Sequence, residues 1–392
     1  MADDKRKKEE FRPAGSEGPG EEQRSILSYL NPLHNVVYVS HILLFTKYFA
    51  TLTRAGIPVL RSLATLSKQM TVWRLKSLVW KMREEVEGGL PLHQSFKKNE
   101  DIFGMLYVNL IKVGEESGRL FAVLDRLSGL LERSIRLRRK VMAALTYPAI
   151  ITLVAVGVVS FLMLYVIPQF SKLFEQFGQE LPWPTQLVIT ISNFLTANII
   201  NISALLMILS LVMYQVAQTE GGKRFFDGIK LRTPLFGGLV QKYSIAMFAR
   251  NLASLFQSGV PIISSMKISI ESVENTVLAD ALSKVVREIE GGIPIAKAIA
   301  RVDLMPDLST QMIEVGEESG NLDEMLEKVA DFYEDEINFI VDQLASMIEP
   351  IFIVVLGSVV GGIVLAMYLP IFRMARVVSG GSGSATAPVG GL

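Results

Sequence analysis

Apolar and polar positions vary along this chain on two scales. On the long scale, three stretches hold no Asp, Glu, Lys, Arg or His over a bilayer-spanning length. The first, 141–171, lies between Lys140 and Lys172, and its core at 149–167 is mostly Ala, Val, Ile and Leu. The third, 350–372, lies between Glu349 and Arg373. At ~1.5 Å per helical residue both match a hydrocarbon layer ~30 Å thick. The second, 181–219, is less uniform: its front half holds Pro182, Pro184, Ser192, Asn193, Asn198 and Asn201, and Ile202–Val216 is strongly apolar. The pattern predicts a span at 199–217. The front half is then an interfacial segment or the outer end of a longer helix, with Trp183 as an interface anchor.

On the short scale, the polar parts show helical periodicity. Phe45, Phe49 and Leu52 lie three or four apart, as do Phe248, Leu252 and Leu255. Gly56 and Gly259 stop these helices, and Pro58 and Pro261 open the next, where a missing N–H costs nothing. Leu75, Val79, Met82 and Val86, like Leu278, Leu282, Val285 and Ile289, mark a third helix that ends at a double glycine. Pro91 and Pro294 begin a short fourth, Met105, Leu106, Leu110 and Val113 mark a fifth, and Leu120, Leu124, Leu127 and Leu131 start a sixth that heads for the membrane. Sustained alternation is missing, so the prediction is all-α, with two repeated helical bundles and three transmembrane helices.

These pairings belong to an internal duplication. Gly56-Ile57-Pro58 and Gly88-Gly89-Leu90-Pro91 recur 203 residues later as Gly259-Val260-Pro261 and Gly291-Gly292-Ile293-Pro294. Val113-Gly114-Glu115-Glu116-Ser117-Gly118 recurs 202 residues later as Val315-Gly316-Glu317-Glu318-Ser319-Gly320. Pro148 and Pro168-Gln169-Phe170 match Pro350 and Pro370-Ile371-Phe372 at the same spacing. The repeat thus includes its span, and the second span has no counterpart. That span returns the chain so that both copies lie on one side.

Composition agrees with polar domains joined to a few spans: 50% of the 392 residues are hydrophobic and 20% charged. Lys plus Arg and Asp plus Glu number 39 each, which argues against nucleic acid as a partner. With no cysteine, disulfide, thiol and cysteine–zinc chemistry are excluded. His34, His41 and His93 have no metal-ligand spacing and read as surface or interface residues, so no metal or cofactor is expected. Residues 1–24 mix both charge signs with Gly and Pro, lack an apolar signal core, and read as a disordered cytoplasmic tail. Arg133, Arg136, Arg138, Arg139 and Lys140 precede the first span, and Lys223, Arg224, Lys230 and Arg232 follow the second, so both flanks are expected in the cytoplasm. The loop at 168–198 is then extracytoplasmic. Arg373 and Arg376 after the third span point the other way, but three crossings from an inside start put the C-terminus outside.

Several groups are candidates for more than scaffolding. The glycine-bracketed acids Glu115, Glu116, Glu317 and Glu318 can bind a cation or a partner arginine. Alternatively each block is a helix corner, with Gly114 or Gly316 ending one helix, Ser117 or Ser319 capping the next, and the acids near a helix N-terminus. The run Arg133–Lys140, with Arg136, Arg138, Arg139 and Lys140, can dock anionic lipid or an acidic partner, or merely fix topology, and these readings are compatible. Gly357 and Gly361 form a GxxxG that allows close helix packing. No phosphate loop, HExxH or GxSxG is present, and the spans carry no Asp, Glu, Lys, Arg or His, which weakens enzyme and transporter readings.

The segment Phe45–Leu63, its twin Phe248–Met266, both VGEESG blocks (Gly114 to Gly118, Gly316 to Gly320), the Tyr-Pro entering the first span and the Val-Ile-Pro-Gln-Phe leaving it resemble the type II secretion protein F / type IV pilus assembly protein PilC family. The resemblance runs from Leu43 to Phe372, about 84% of the chain. It implies a multi-pass platform in the bacterial inner membrane that couples a cytoplasmic hexameric assembly ATPase to insertion of pilin or pseudopilin subunits. It also implies contacts with other inner-membrane machine components and lipid, a homo-oligomeric state, and no catalysis by the platform itself. Many members carry a small domain before the first repeat, which is not expected ahead of Leu43. The competing class is a transporter or channel subunit. The expected organisation is a tail at 1–40, cytoplasmic repeats at 41–148 and 248–349, spans at 149–167, 199–217 and 350–372, an outer loop at 168–198, a linker at 218–247 and a flexible tail at 373–392.

Overall fold

In the computed structural model, which describes residues 36–176, 181–233, 236–302 and 305–380, helix α1 (Val39–Arg54) buries Ile42, Phe45, Thr46, Phe49 and Ala50. That is one helical face at the three-and-four spacing. The chain turns at Gly56, whose φ of +75° few other residues adopt. Ile57 N–H bonds Leu52 O (3.0 Å) and Gly56 N–H bonds Thr53 O (3.0 Å), closing the helix end. Gly259 repeats this at φ +88°, with Val260 N–H on Leu255 O (3.1 Å).

The first copy continues as α2 (Val59–Gln69), α3 (Trp73–Glu87), α4 (Leu92–Lys97), α5 (Glu100–Phe103), α6 (Met105–Glu116) and α7 (Leu120–Phe161). A π turn (Leu162–Val166) joins α7 to α8 (Ile167–Gln176). Helices α9 (Trp183–Gln218) and α10 (Glu220–Arg232) lead to the second copy: α11 (Gly237–Gln257), α12 (Ile262–Glu271), α13 (Thr276–Glu290), α14 (Ile295–Ala300), α15 (Asp307–Ser319) and α16 (Leu322–Gly380). The fold is all-α, and each helix expected in both copies is present. The N-terminal tail up to residue 35 and the last residues from 381 lie outside the described residues.

Two compact units result. One comprises residues up to Arg139 together with Asp227–Ile337, and so contains both repeats. The repeats were expected as two bundles; each forms one, but they share a core. Leu255 and Ile268 of the second copy lie in the same buried cluster as Phe45, Phe49, Phe96, Tyr107 and Leu124 of the first. Arg126 adds a bond across the repeats, from Nη1 to Ser258 Oγ (2.9 Å). The segment 218–247, expected as a linker, is largely helical, and Asp227 within it accepts a bond from Thr276 N–H (3.1 Å) at the start of α13.

The other unit comprises Lys140–Phe226 and Asn338 onward. It holds the apolar parts of α7, α9 and α16, the three helices among the described residues that are long and apolar enough to cross a membrane. Met163, Ile167 and Ile363 form its small core, with Val188, Ile189 and Leu195 of α9 packed on it. Leu153, Ile200, Leu205 and Leu365 are exposed, a surface suited to hydrocarbon. Residues 168–198, expected as a loop, are mostly helical where described: α8 runs to Gln176, and α9 already starts at Trp183 and continues unbroken to Gln218. The front half of the second charge-free stretch is therefore the end of a longer helix. Helix α16 also runs beyond the expected span, to Gly380.

Candidate functional site

The repeated acidic block sits at the end of α6 and of α15, but its parts do different work from a simple corner. Gly114 does not end α6; it lies buried inside it. A Cβ there would stand 3.0 Å from Val123 Cβ and 3.2 Å from Leu120 Cα of α7. At Gly316 the same atom would stand 2.9 Å from Met325 Cβ and 3.1 Å from Leu322 Cα. These glycines let consecutive helices close on each other. Gly118 (φ +67°) and Gly320 (φ +74°) make the turns. Nor does Ser117 cap α7: its hydroxyl donates back to Val113 O (2.6 Å).

The first glutamate of each block caps a helix that is distant in sequence. Glu115 accepts from Leu92 N–H (2.6 Å) and His93 N–H (2.9 Å), with His93 Nδ1 at 2.6 Å. Glu317 accepts from Ile295 N–H (2.8 Å) and Ala296 N–H (3.1 Å). Pro91 and Pro294 have already removed one N–H from those helix starts; the carboxylates take the next two, at the positive end of the helix. Burial pushes the Glu115 carboxyl upward, but the donors of His93 and Leu92 outweigh it and hold it below the usual carboxylate range. The second acids are exposed, and Glu116 lies 3.9 Å from Lys112.

The basic run on α7 faces acids of α16. Arg133 lies 3.5 Å from Asp331, and Lys140 lies 3.1 Å from Asp342. Arg136 reaches Glu132 at 3.5 Å, and Arg138 and Arg139 are exposed. Pro148 lies inside α7 and Pro350 inside α16, each without ending its helix. At Gly357 and Gly361 an added Cβ would meet nothing within 4 Å, so neither admits a close helix neighbour among the described residues. His41 Nδ1 accepts from Tyr38 N–H (3.1 Å) at the start of α1, and His34 lies outside the described residues.

One cluster escaped the sequence reading. Arg250 on α11 is only 3% exposed and meets Glu334 at 2.7 Å, Asp331, and Glu327 at 3.6 Å. Burial opposes its charge, but the bonds it donates to Asp331 and Glu334 prevail and push its pKa up. Its counterpart in the first copy is Lys47, paired with Glu132 at 2.7 Å and half exposed. The signal was present: a base at positions 203 apart and a glutamate at positions 202 apart.

Between the repeats lies a cleft of about 460 Å³ lined by Glu100, Ser134, Arg138, Tyr243, Asn251 and Glu271, among others. Burial and the Glu100 charge push the Glu271 carboxyl up.

Comparison with known proteins accounts for the duplication. The sequence model of the family described as "Type II secretion system (T2SS), protein F" matches residues 45–168 and again 248–370, one match per copy. A type IV pilus assembly protein PilC of Myxococcus xanthus is 37% identical over 337 residues, covering 86% of this chain and 81% of that protein. PilC of Pseudomonas aeruginosa is 36% identical over 344 residues, covering 86% and 90%. The type II secretion system protein F of Xanthomonas campestris is 31% identical over 334 residues, covering 85% and 82%.

Proposed function

The chain belongs to the type II secretion system protein F family, and from that premise we propose that it is the inner-membrane platform of a type IV pilus or type II secretion machine. It passes the work of a cytoplasmic assembly ATPase to pilin or pseudopilin subunits entering a filament, and catalyses no reaction itself. The observation that carries this reading is continuity. In each copy the helix that closes the bundle is the helix that crosses the membrane: α7 runs from Leu120 through Pro148, and α16 from Leu322 through Pro350. Displacement of a bundle therefore has a stiff helical route into a span.

The topology follows the same logic. The core shared by both copies supports placing them on the same side of the membrane, with α9 as the return crossing between them. The charge bias of the first two spans puts that side, and the N-terminus, in the cytoplasm, and the end of α16 opposite. In this setting Glu115, Glu317 and the repeated glycines hold the bundles rigid, while Arg136 and Arg139 face the cytoplasmic lipid surface.

The test is deletion of the gene in its host, reading assembled surface filaments, secretion and processed pilin in the membrane. Loss of filaments with accumulation of processed pilin supports a platform that acts after subunit maturation. Normal filaments and normal secretion, with no paralogue compensating, overturn it and favour a transporter.

A further inference from the structure

Pro168 and Pro370 hold the same place in the two copies, near the C-terminal ends of the repeated spans. A proline inside a helix has no N–H, so one carbonyl in the preceding turn loses its donor. In α16 the carbonyl four residues before Pro370 is that of Ala366. Thr185 Oγ1 of α9 donates to it. In the first copy the chain takes a π turn before its proline: Ile167 N–H reaches Leu162 O, five residues back. The next bond in that register would run from Pro168 to Met163 O, and proline cannot make it. Ser192 Oγ of α9 donates to Met163 O.

Both carbonyls orphaned by these prolines are thus served by hydroxyls of the one span that is not duplicated. Thr185 and Ser192 are seven residues apart, two turns along one face. They are 2% and 0% exposed. Other hydroxyls on α9 do not behave this way: Thr190, Thr196, Ser203 and Ser210 bond carbonyls of their own helix. In hydrocarbon no water is available to satisfy a free carbonyl, so a neighbouring hydroxyl is its best substitute.

We propose that α9 is a clasp, in which Thr185 and Ser192 replace the hydrogen bonds that Pro370 and Pro168 remove and so hold the ends of both repeated spans against the single unrepeated one. The clasp gives the middle span a role beyond returning the chain. It ties two helices that originate in different copies to a common support.

The experiment is a set of double-mutant cycles on the full chain in mixed micelles, with unfolding followed as SDS is increased. Thr185→Val and Ser192→Ala should each raise the unfolding constant about three- to fifteenfold. Thr185→Ser should restore the parent value. Pro370→Ala gives Ala366 O a donor within its own helix, so in that background Thr185→Val should change the constant less than about twofold, whereas Ser192→Ala keeps its effect. Pro168→Ala should cancel the Ser192 effect in the same selective way. Equal losses in the proline and alanine backgrounds, or no loss in the parent, overturn the proposal. Should the Pro→Ala chains not insert, cysteines at Ile189 and Ile363, which belong to the same small apolar cluster, provide a second readout with a bifunctional thiol reagent, because the chain has no cysteine of its own. Their cross-linking should slow severalfold with Thr185→Val and not with Thr185→Ser; unchanged cross-linking with Thr185→Val overturns the clasp.

Discussion

Glu115→Ala leaves the N–H groups of Leu92 and His93 without the carboxylate that now sits 2.6 and 2.9 Å away. Helix α4 has only six residues, too few to be stable without its tertiary contacts and cap. A hydrogen bond to a charged group contributes ~1.5 kcal/mol or more. The Glu115 side chain is 30% exposed, so water replaces part of what is lost, and the two bonds together should be worth about 2 kcal/mol. That corresponds to amide exchange in α4 about 30-fold faster by local opening. Hydrogen exchange read by mass spectrometry on the full chain in micelles measures this directly. Glu115→Gln keeps one acceptor oxygen and should lose about half the effect on the logarithmic scale. Glu116→Ala, at an exposed site, should change little. The pH dependence is set by the same bonds. They hold the folded carboxyl below its ordinary value of 4.5, so their stabilisation is complete above that value and is lost as pH falls through the lower, folded one. After correction for intrinsic exchange, protection of α4 should fade in that acid window in the parent and stay flat in Glu115→Gln. Parent-like exchange in Glu115→Ala, or equal acceleration in Glu116→Ala, would refute the capping role.

Arg250→Met should destabilise the unit that holds both repeats by ~3 kcal/mol, because it strands the Glu334 and Asp331 charges beside a buried site; Lys47→Met, at the exposed counterpart, should cost no more than ~1 kcal/mol in the same thermal melts. Gly316→Ala should lower stability by ~1–3 kcal/mol through the clash with Met325, whereas Gly129→Ala in α7, where a Cβ meets nothing within 4 Å, should raise it by ~0.5–1 kcal/mol. Glu271 has a raised carboxyl, so its charge burdens the folded state above the ordinary carboxylate range; Glu271→Gln should stabilise at neutral pH by a few tenths of a kcal/mol, and the gain should vanish in acid. Replacing Pro148 and Pro350 together with alanine should impair filament assembly at unchanged protein level, as scored by surface pilin and immunoblot.

How far the sequence could be read depended on the range of the physics involved. Local signals were legible: the face of Phe45, Phe49 and Leu52, the stop at Gly56, and the start after Pro58 are written within a few residues of each other. The duplication was legible because identical blocks recur in register. The role of Glu115 was half legible. Its placement near a helix N-terminus could be anticipated, but the helix it caps begins 23 residues earlier in the chain, and no local pattern names it. Gly114 was misread because a glycine near a turn looks like a stop, while its function is to admit Val123 from the next helix. The first part of α9 was read ambiguously because Ser192 and Asn193 lower its hydropathy. Ser192 is tolerated there since its hydroxyl is spent on Met163 O, a partner no linear reading could supply.

The charges also show what duplication allowed. Lys140 and Asp342 occupy one and the same position in the two copies, and they pair at 3.1 Å. A strict repeat would have placed like charges there. Lys47–Glu132 and Arg250–Glu334 are likewise equivalent pairs, yet one is half exposed and the other is buried and joined by Asp331 and Glu327. Position 331 corresponds to Gly129 in the first copy, so the extra acid belongs to the second copy alone. Asp331 also meets Arg133 of the first copy, at 3.5 Å. The two copies therefore kept a common backbone design and diverged where they touch. Each became complementary to the other, which is why they share a core and why neither repeat is expected to retain its stability when expressed without its partner.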